Sequence, residues 1–104
     1  MPILSQLPQQ MIAGTTWRGA FDSENDYTVS YRFNADATAE WSDNGQTQWT
    51  GRDEHSWTQD GASVTWRHRD GTVWQATIHP PGNRMTGVIY GSDGEPRGVF
   101  RLTR

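Results

Sequence analysis

Short runs of alternating apolar and polar residues, separated by Asn-Gly and Asp-Gly dipeptides, constrain the fold of this chain more than any other feature. Such dipeptides favour the tight turns of β-hairpins, and here they lie at 44–45, 60–61, 70–71 and 93–94. From Thr16 onward the alternation has a period of two, and it predicts strands at about 16–21, 27–33, 38–43, 46–51, 53–59, 62–68, 72–79, 84–91 and 97–103. Each strand follows the last after a short turn, so we expect an antiparallel meander.

The length of each turn decides which residues oppose each other, and opposed residues share a face of the sheet. At the second Asp-Gly pair, a three-residue loop Arg69–Gly71, with its glycine in the left-handed conformation, sets Trp66 opposite Trp74. At the first Asp-Gly pair, a two-residue loop sets Trp57 opposite Val64. Both choices keep the apolar residues of neighbouring strands on one face.

The same test applies to the two outer turns. A three-residue loop at 43–45 places Trp41 and Trp49 on one face, and a two-residue loop at the last Asp-Gly pair sets Gly87 opposite Phe100. One ambiguity stays open: residues 46–59 could form one strand bent at a glycine, or two strands joined at 52–54.

These registers give one inward, apolar face that carries all six tryptophans. Its predicted members are Trp17, Phe21, Val29, Tyr31, Phe33, Trp41, Trp49, Trp57, Val64, Trp66, Trp74, Ala76, Ile78, Met85, Ile89, Phe100 and Leu102. The opposite face is polar, as is common for antiparallel sheets with one wet side. About eight short strands with one buried face must close on themselves to protect their edges. We therefore predict an all-β, up-and-down barrel, with a sandwich as the alternative.

Composition excludes several classes of protein. The 104 residues suffice for one domain, and the absence of Cys excludes disulfides and thiolate metal sites. A net charge of −3 with dispersed arginines disfavours nucleic-acid binding. The chain has no secretory signal and no apolar run of membrane-spanning length. We expect a cytoplasmic protein that needs neither a cofactor nor a metal, and whose outward Tyr90 would suit a homodimer contact.

The N-terminal segment, residues 1–15, is predicted to cap the barrel that spans residues 16–104. Pro8 can open a short helix near 6–13, and a glycine at position 14 can end it. A stripe formed by Leu4, Leu7 and Met11 would then cover one open end. The alternative is that this segment docks into a partner.

Two segments resemble the calycin superfamily of lipocalins, fatty-acid-binding proteins and avidins. "AGTTWRG" at 13–19 is similar to their entry into the first strand, and "GVFRLTR" at 98–104 is similar to their last strand. The resemblance implies that Trp17 is a structural tryptophan at the closed end, covered by Arg101 or Arg104. It also implies a barrel that carries a ligand.

The inward rings are either solid core or the lining of a pocket, because an eight-stranded barrel is about wide enough for side chains or one small ligand. For a pocket, the ligand-binding candidates are Tyr31, Trp41, Trp49, His55, Trp66 and Trp74. Asp53, His55 and His68 are expected to meet at a barrel mouth, where they could orient a base or hold a metal with water. These three are the only catalytic candidates, and no nucleophile motif or phosphate loop accompanies them.

The function expected from this pattern is non-catalytic binding of a small, partly apolar or aromatic molecule in a Trp-lined barrel. The alternative is a protein-binding barrel, such as a protease inhibitor that acts through its N-terminal segment or loops. The third hypothesis is a small isomerase or cyclase.

Overall fold

The chain forms an all-β structure, seen here in a computed structural model that describes residues 11–21, 28–43 and 48–104. Its strands are β1 (Thr15–Phe21), β2 (Thr28–Phe33), β3 (Ala39–Asp43), β4 (His55–Asp60), β5 (Ser63–His68), β6 (Val73–His79), β7 (Arg84–Tyr90) and β8 (Pro96–Thr103). The described residues contain no helix, and thus none that could cross a bilayer.

All eight strands belong to one antiparallel sheet with the order β3-β2-β1-β8-β7-β6-β5-β4. Because the first strand pairs with the last, the sheet curls round and brings the edges of β3 and β4 together. At this seam the backbone N–H of Trp57 donates to the Ala37 carbonyl at 3.0 Å, and Thr38 forms a β-bridge with Ser56. The result is a nearly closed up-and-down barrel rather than a sandwich, as the turn pattern predicted.

The predicted strand at 46–51 is not one of the eight. Among its described residues, Thr50 exchanges two hydrogen bonds with Trp41, at 2.8 and 2.9 Å, and a turn over 52–54 then leads into β4. Of the two alternatives for 46–59, the single bent strand is therefore wrong, and the chain has two segments joined at this turn.

The hairpin between β5 and β6 has the predicted register. Trp66 opposes Trp74, and the loop Arg69–Gly71 ends in a glycine with a φ of 97°. Positive φ is readily accessible to glycine, which has no Cβ to clash with the backbone. The three-residue loop is confirmed.

The hairpin between β4 and β5 differs from the prediction by a shift of two residues. Asp60 pairs with Ser63, which leaves the two residues between them as the loop, and Trp57 therefore opposes Trp66 instead of Val64. A shift of two keeps every side chain on its predicted face, because side chains alternate with a period of two.

The hairpin between β7 and β8 reaches the predicted register by another route. Gly87 opposes Phe100, as expected. The Gly91 N–H donates to the Glu95 carbonyl at 2.9 Å, so the loop holds three residues instead of two. An irregularity between Ile89 and Tyr90 absorbs the difference, as a β-bulge does.

The core consists of the inward face of the barrel. Its buried apolar residues are Ile12, Trp17, Val29, Tyr31, Phe33, Ala39, Val64, Trp66, Trp74, Ala76, Ile78, Met85, Phe100 and Leu102. Trp41, Trp57 and Ile89 are partly buried and pack against this cluster. The predicted face is confirmed except for Trp49, which is treated below, and for Phe21, whose side chain lies outside the described part.

The end of the barrel beside residues 11–14 is filled by an isoleucine. Ile12 is fully buried, whereas Met11 is 51% exposed, so the predicted stripe through Met11 is wrong in the described part. Residues 11–13 are not helical, and the Ile12 N–H donates to Gln59 Oε1 at 3.2 Å. Leu4 and Leu7, like most of the predicted helix, lie outside the described residues.

Candidate ligand-binding site

The middle of the barrel is filled by aromatic rings around Trp66, which has no exposed surface. Its ring centroid lies 5.5 Å from Trp74, 5.4 Å from Tyr31, 5.0 Å from Phe33 and 5.3 Å from Phe100. These distances fall in the range of direct ring contacts. The rings therefore pack as a solid layer at this level of the barrel.

The indole N–H of Trp66 is buried and has no hydrogen-bond acceptor among the described residues. Two other tryptophans are satisfied: Trp17 donates to Thr15 Oγ1 at 2.9 Å, and Trp57 donates to the Asn34 carbonyl at 3.0 Å. A buried donor without an acceptor costs about 1–3 kcal/mol of stability. Trp66 thus places an unfulfilled donor in the middle of an apolar layer.

One end of the barrel is sealed by Trp17 and an arginine. Trp17 is fully buried, and the Arg104 guanidinium lies 4.8 Å from its ring centroid. Arg104 also donates to the Gly82 carbonyl at 2.8 Å and to the Met11 carbonyl at 3.0 Å, and partial burial lowers the pKa of its guanidinium. The arginine expected to cover Trp17 is therefore Arg104, whereas Arg101 lies in a groove on the outer face.

The other end carries two histidines whose rings touch. His55 and His68 oppose each other on β4 and β5, and their Nε2 atoms are 2.5 Å apart. His55 is 3% exposed, and its Nδ1 lies 2.8 Å from the Gly51 carbonyl. Because a carbonyl only accepts, Nδ1 of His55 carries a proton and donates. In the neutral ring Nε2 is then an acceptor, so His68 donates through its own Nε2–H.

The surroundings of His68 favour its uncharged form. Burial is the main cause that lowers the pKa of His68, and the neighbouring His55 lowers it further. Asp70 and Glu54 act in the opposite direction but do not outweigh these effects. Two imidazolium rings at this distance would repel each other, which agrees with the direction of the shift.

The position of Asp53 differs from the predicted register, although Asp53 lines the same cavity of about 220 Å³ as His55 and His68. The sequence placed Asp53 opposite His68, but His55 occupies that position. Asp53 lies in the turn before β4 with an exposed side chain, and its backbone carbonyl accepts a hydrogen bond from Arg69 at 2.9 Å. In the described part of the chain, no group of three or more His, Asp or Glu residues could hold a metal ion.

The two tryptophans near the seam lie on opposite sides of the barrel wall. Trp41 is partly buried against the core. Trp49 lies under the guanidinium of Arg32, whose Cζ is 4.3 Å from the ring centroid, and Arg32 neighbours the inward Tyr31 and so faces outward. The prediction of an inward Trp49 is therefore wrong. Trp41 pairs with Thr50, which differs from the predicted register by an odd number of residues and reverses the face.

The inward surface beside the histidines has room that the middle of the barrel lacks. No heavy atom lies within 4 Å of the position that a Cβ would take at Gly98. Ile89 opposes Gly98 and is partly buried, and Trp74 neighbours Ile89 across the next strand pair. This room and the histidine pair belong to the same end of the barrel.

The structure thus brings four of the predicted ligand-binding residues, Tyr31, His55, Trp66 and Trp74, together on the inward face. Trp41 lies at the seam, and Trp49 is outside. Sequence reasoning missed the Gly51 carbonyl, which orients His55 through a turn that no local pattern marks.

No protein-family model, curated protein or solved structure matches this sequence. The function must therefore be inferred from the chemistry of the barrel itself.

Proposed function

We propose that the barrel binds a small, partly apolar or aromatic molecule, without catalysis, at the end that carries His55 and His68. The observation that carries this proposal is the buried indole N–H of Trp66, which has no acceptor among the described residues. A ligand with an apolar body and one carbonyl or hydroxyl oxygen would satisfy this donor by displacing part of the ring layer that packs around Trp66. The new hydrogen bond would remove the free-energy cost of a buried donor without an acceptor.

The difference between the two ends supports the location. Trp17, Arg104 and Ile12 close one end. At the other end of the barrel lie the open space at Gly98, opposite Ile89, and the polar histidine pair. Ligand pockets usually combine such an apolar lining with a few polar groups that fix the orientation of the ligand.

The barrel shape and the Arg104–Trp17 contact also support the calycin-like assignment, which we retain as part of the proposal. The resemblance implies that Trp17 and its arginine mark the closed end of the barrel, and the proposed site lies at the other end. A cytoplasmic location remains a prediction from the sequence.

Titration with Nile red, an uncharged aromatic dye with a carbonyl oxygen, tests the proposal. We expect saturable binding with about one dye per barrel and quenching of the tryptophan fluorescence. Trp66→Phe removes the unfulfilled donor and should weaken binding at least about fivefold, which corresponds to about 1 kcal/mol. Trp57→Phe is the matched control, because its N–H is already bonded to Asn34, and it should change the affinity less than about twofold.

Two results would overturn the proposal. One is the absence of saturable dye binding together with the absence of any co-purifying molecule in native mass spectrometry. The other is equal weakening by Trp66→Phe and Trp57→Phe.

The inhibitor alternative depends on residues 1–10, which lie outside the described part of the chain. Deleting residues 1–10 separates the two functions, because a barrel ligand should still bind while an inhibitor of that type should lose its target. The third hypothesis, an isomerase or cyclase, would use Asp53, His55 and His68, which line one cavity.

A further inference from the structure

A groove of about 350 Å³ on the outer face of the barrel is lined by three arginines from three adjacent strands. Arg18 lies on β1, Arg101 on β8 and Arg84 on β7, and the side chains of Thr86 and Thr103 lie between them. All five side chains are exposed. The groove is therefore separate from the inward rings and from the histidine pair.

The register of the strands lets the three guanidinium groups converge. Thr103 is the direct cross-strand neighbour of both Arg18 and Arg84, and Arg101 precedes it by two residues on the same face. Adjacent strands lie about 4.8 Å apart and alternate residues of a strand about 6.7 Å apart, which separates the three arginine Cα atoms by about 8–10 Å. An extended arginine side chain spans more than half of this distance, so all three can reach one central anion.

No carboxylate neighbours these arginines in the described part of the sheet. The cross-strand partners of Arg18 are Ser30 and Thr103, and those of Arg101 are Ala20 and Thr86. Arg84 has His79 and Thr103 beside it. Among these partners, the Thr103 hydroxyl donates to the Arg18 carbonyl at 3.3 Å, and His79 Nε2 lies 2.8 Å from Thr86 Oγ1, so the guanidinium groups are the main donors that an anion would meet.

The described ion pairs involve other arginines. Arg32 pairs with Glu40, Arg52 with Asp36 and Glu40, and Arg97 with Asp93. In a chain with a net charge of −3, three arginines without an ion pair in the described region form a local concentration of positive charge. Their mutual repulsion lowers stability, and a bound anion would offset it.

We propose that this groove binds a phosphate group, either free or as part of a small molecule. Arginines on three adjacent strands can present their guanidinium groups from different directions, and the tetrahedral oxygens of phosphate can accept hydrogen bonds from all of them. A carboxylate has two oxygens in one plane and matches one arginine fork best. This site is independent of the proposed barrel ligand, because it lies on the opposite surface of the sheet.

Calorimetric titration of the full-length protein with inorganic pyrophosphate at low ionic strength tests the proposal. Arg101→Gln should weaken binding about tenfold or more, and the double substitution Arg18→Gln, Arg84→Gln should abolish measurable binding. Arg67→Gln is the matched control: it removes the same charge from an exposed position on β5 outside the groove. It should change the affinity less than about twofold.

Circular dichroism of each variant shows whether it is folded, and Nile red binding should be unchanged in all of them. Absence of saturable binding at about 10 mM pyrophosphate, or equal weakening by Arg67→Gln, would overturn the site. Citrate binding as tight as pyrophosphate binding would overturn the assignment to phosphate. If the unaltered protein binds pyrophosphate but not Nile red, the proposed function is contradicted and the groove is still supported.

Discussion

Replacing Trp66 with phenylalanine should cost less stability than replacing Trp17 with phenylalanine, although both indoles are fully buried. Each substitution removes about 40 Å³ of ring volume, and at about 24 cal/mol per Å³ of residual cavity this costs about 1 kcal/mol. The packing term is therefore similar at the two sites. The difference should come from the indole N–H, which is bonded in Trp17 and has no acceptor among the described residues in Trp66.

The hydrogen-bond contributions to the change in unfolding free energy have opposite signs in Trp17→Phe and Trp66→Phe. Trp17→Phe also loses the bond to Thr15 Oγ1, so its total cost should be about 2 kcal/mol. Trp66→Phe removes a buried donor that costs about 1–3 kcal/mol, so its net effect should lie between about neutral and about 2 kcal/mol stabilising. The two variants should thus differ by at least about 2 kcal/mol, against about 5–10 kcal/mol for the whole domain.

Urea unfolding followed by far-ultraviolet circular dichroism measures this difference without depending on tryptophan emission. With an m-value of about 1–1.5 kcal/mol/M, the midpoint of Trp17→Phe should fall at least about 1.3 M below that of Trp66→Phe. Equal midpoints, or a lower midpoint for Trp66→Phe, would refute the reasoning. In that case the Trp66 N–H must have a partner such as a buried water.

Three further outcomes are expected from the same unfolding assay. Ala37 has a φ of 73°, so Ala37→Gly should relieve left-handed strain and stabilise by about 0.5–1 kcal/mol; a lower midpoint would contradict this. A Cβ at Gly19 would lie 1.8 Å from the Arg101 carbonyl oxygen, so Gly19→Ala should cost more than about 3 kcal/mol, and a loss below about 1 kcal/mol would show that the strands separate easily. Because the pKa of His68 is lowered in the folded state, its contribution to stability is complete above the unfolded pKa of about 6.5 and is lost as the pH falls below it. His68→Gln should flatten the dependence of the midpoint between about pH 7.5 and about pH 5.5, and an unchanged dependence would exclude His68 as its source.

The fold could be predicted from the sequence because the alternation of apolar and polar residues and the turn dipeptides are both local features of the chain. The Asp-Gly pairs marked the hairpins, and the demand for matched faces selected the register of Trp66 against Trp74. The predicted register of Trp57 was wrong by two residues, but a shift of two residues leaves every side chain on its predicted face. Local pattern gave the correct faces in the hairpins β4–β5, β5–β6 and β7–β8.

The seam could not be predicted in the same way. The edges of β3 and β4 meet only after the whole sheet has curled, in the bridge between Thr38 and Ser56. The nearby pairing of Trp41 with Thr50 differs from the predicted register by an odd number of residues and places Trp49 outside, where Arg32 covers it. The buried indole N–H of Trp66 could not be predicted from the sequence either, because its lack of an acceptor depends on the orientation of one ring among four others.

The pairing of β1 with β8 has a consequence for the connectivity of the chain. Arg104 already bonds the Met11 carbonyl at 3.0 Å, so a short linker could join them, and the chain could be opened instead between β3 and β4. In this circular permutant every strand would pair with its neighbour in sequence, in the order β4 to β8 followed by β1 to β3. The most distant pairing of the present chain would become a local hairpin. Since local pairings close with less loss of chain entropy, the permutant should fold faster than the parent while retaining the same barrel.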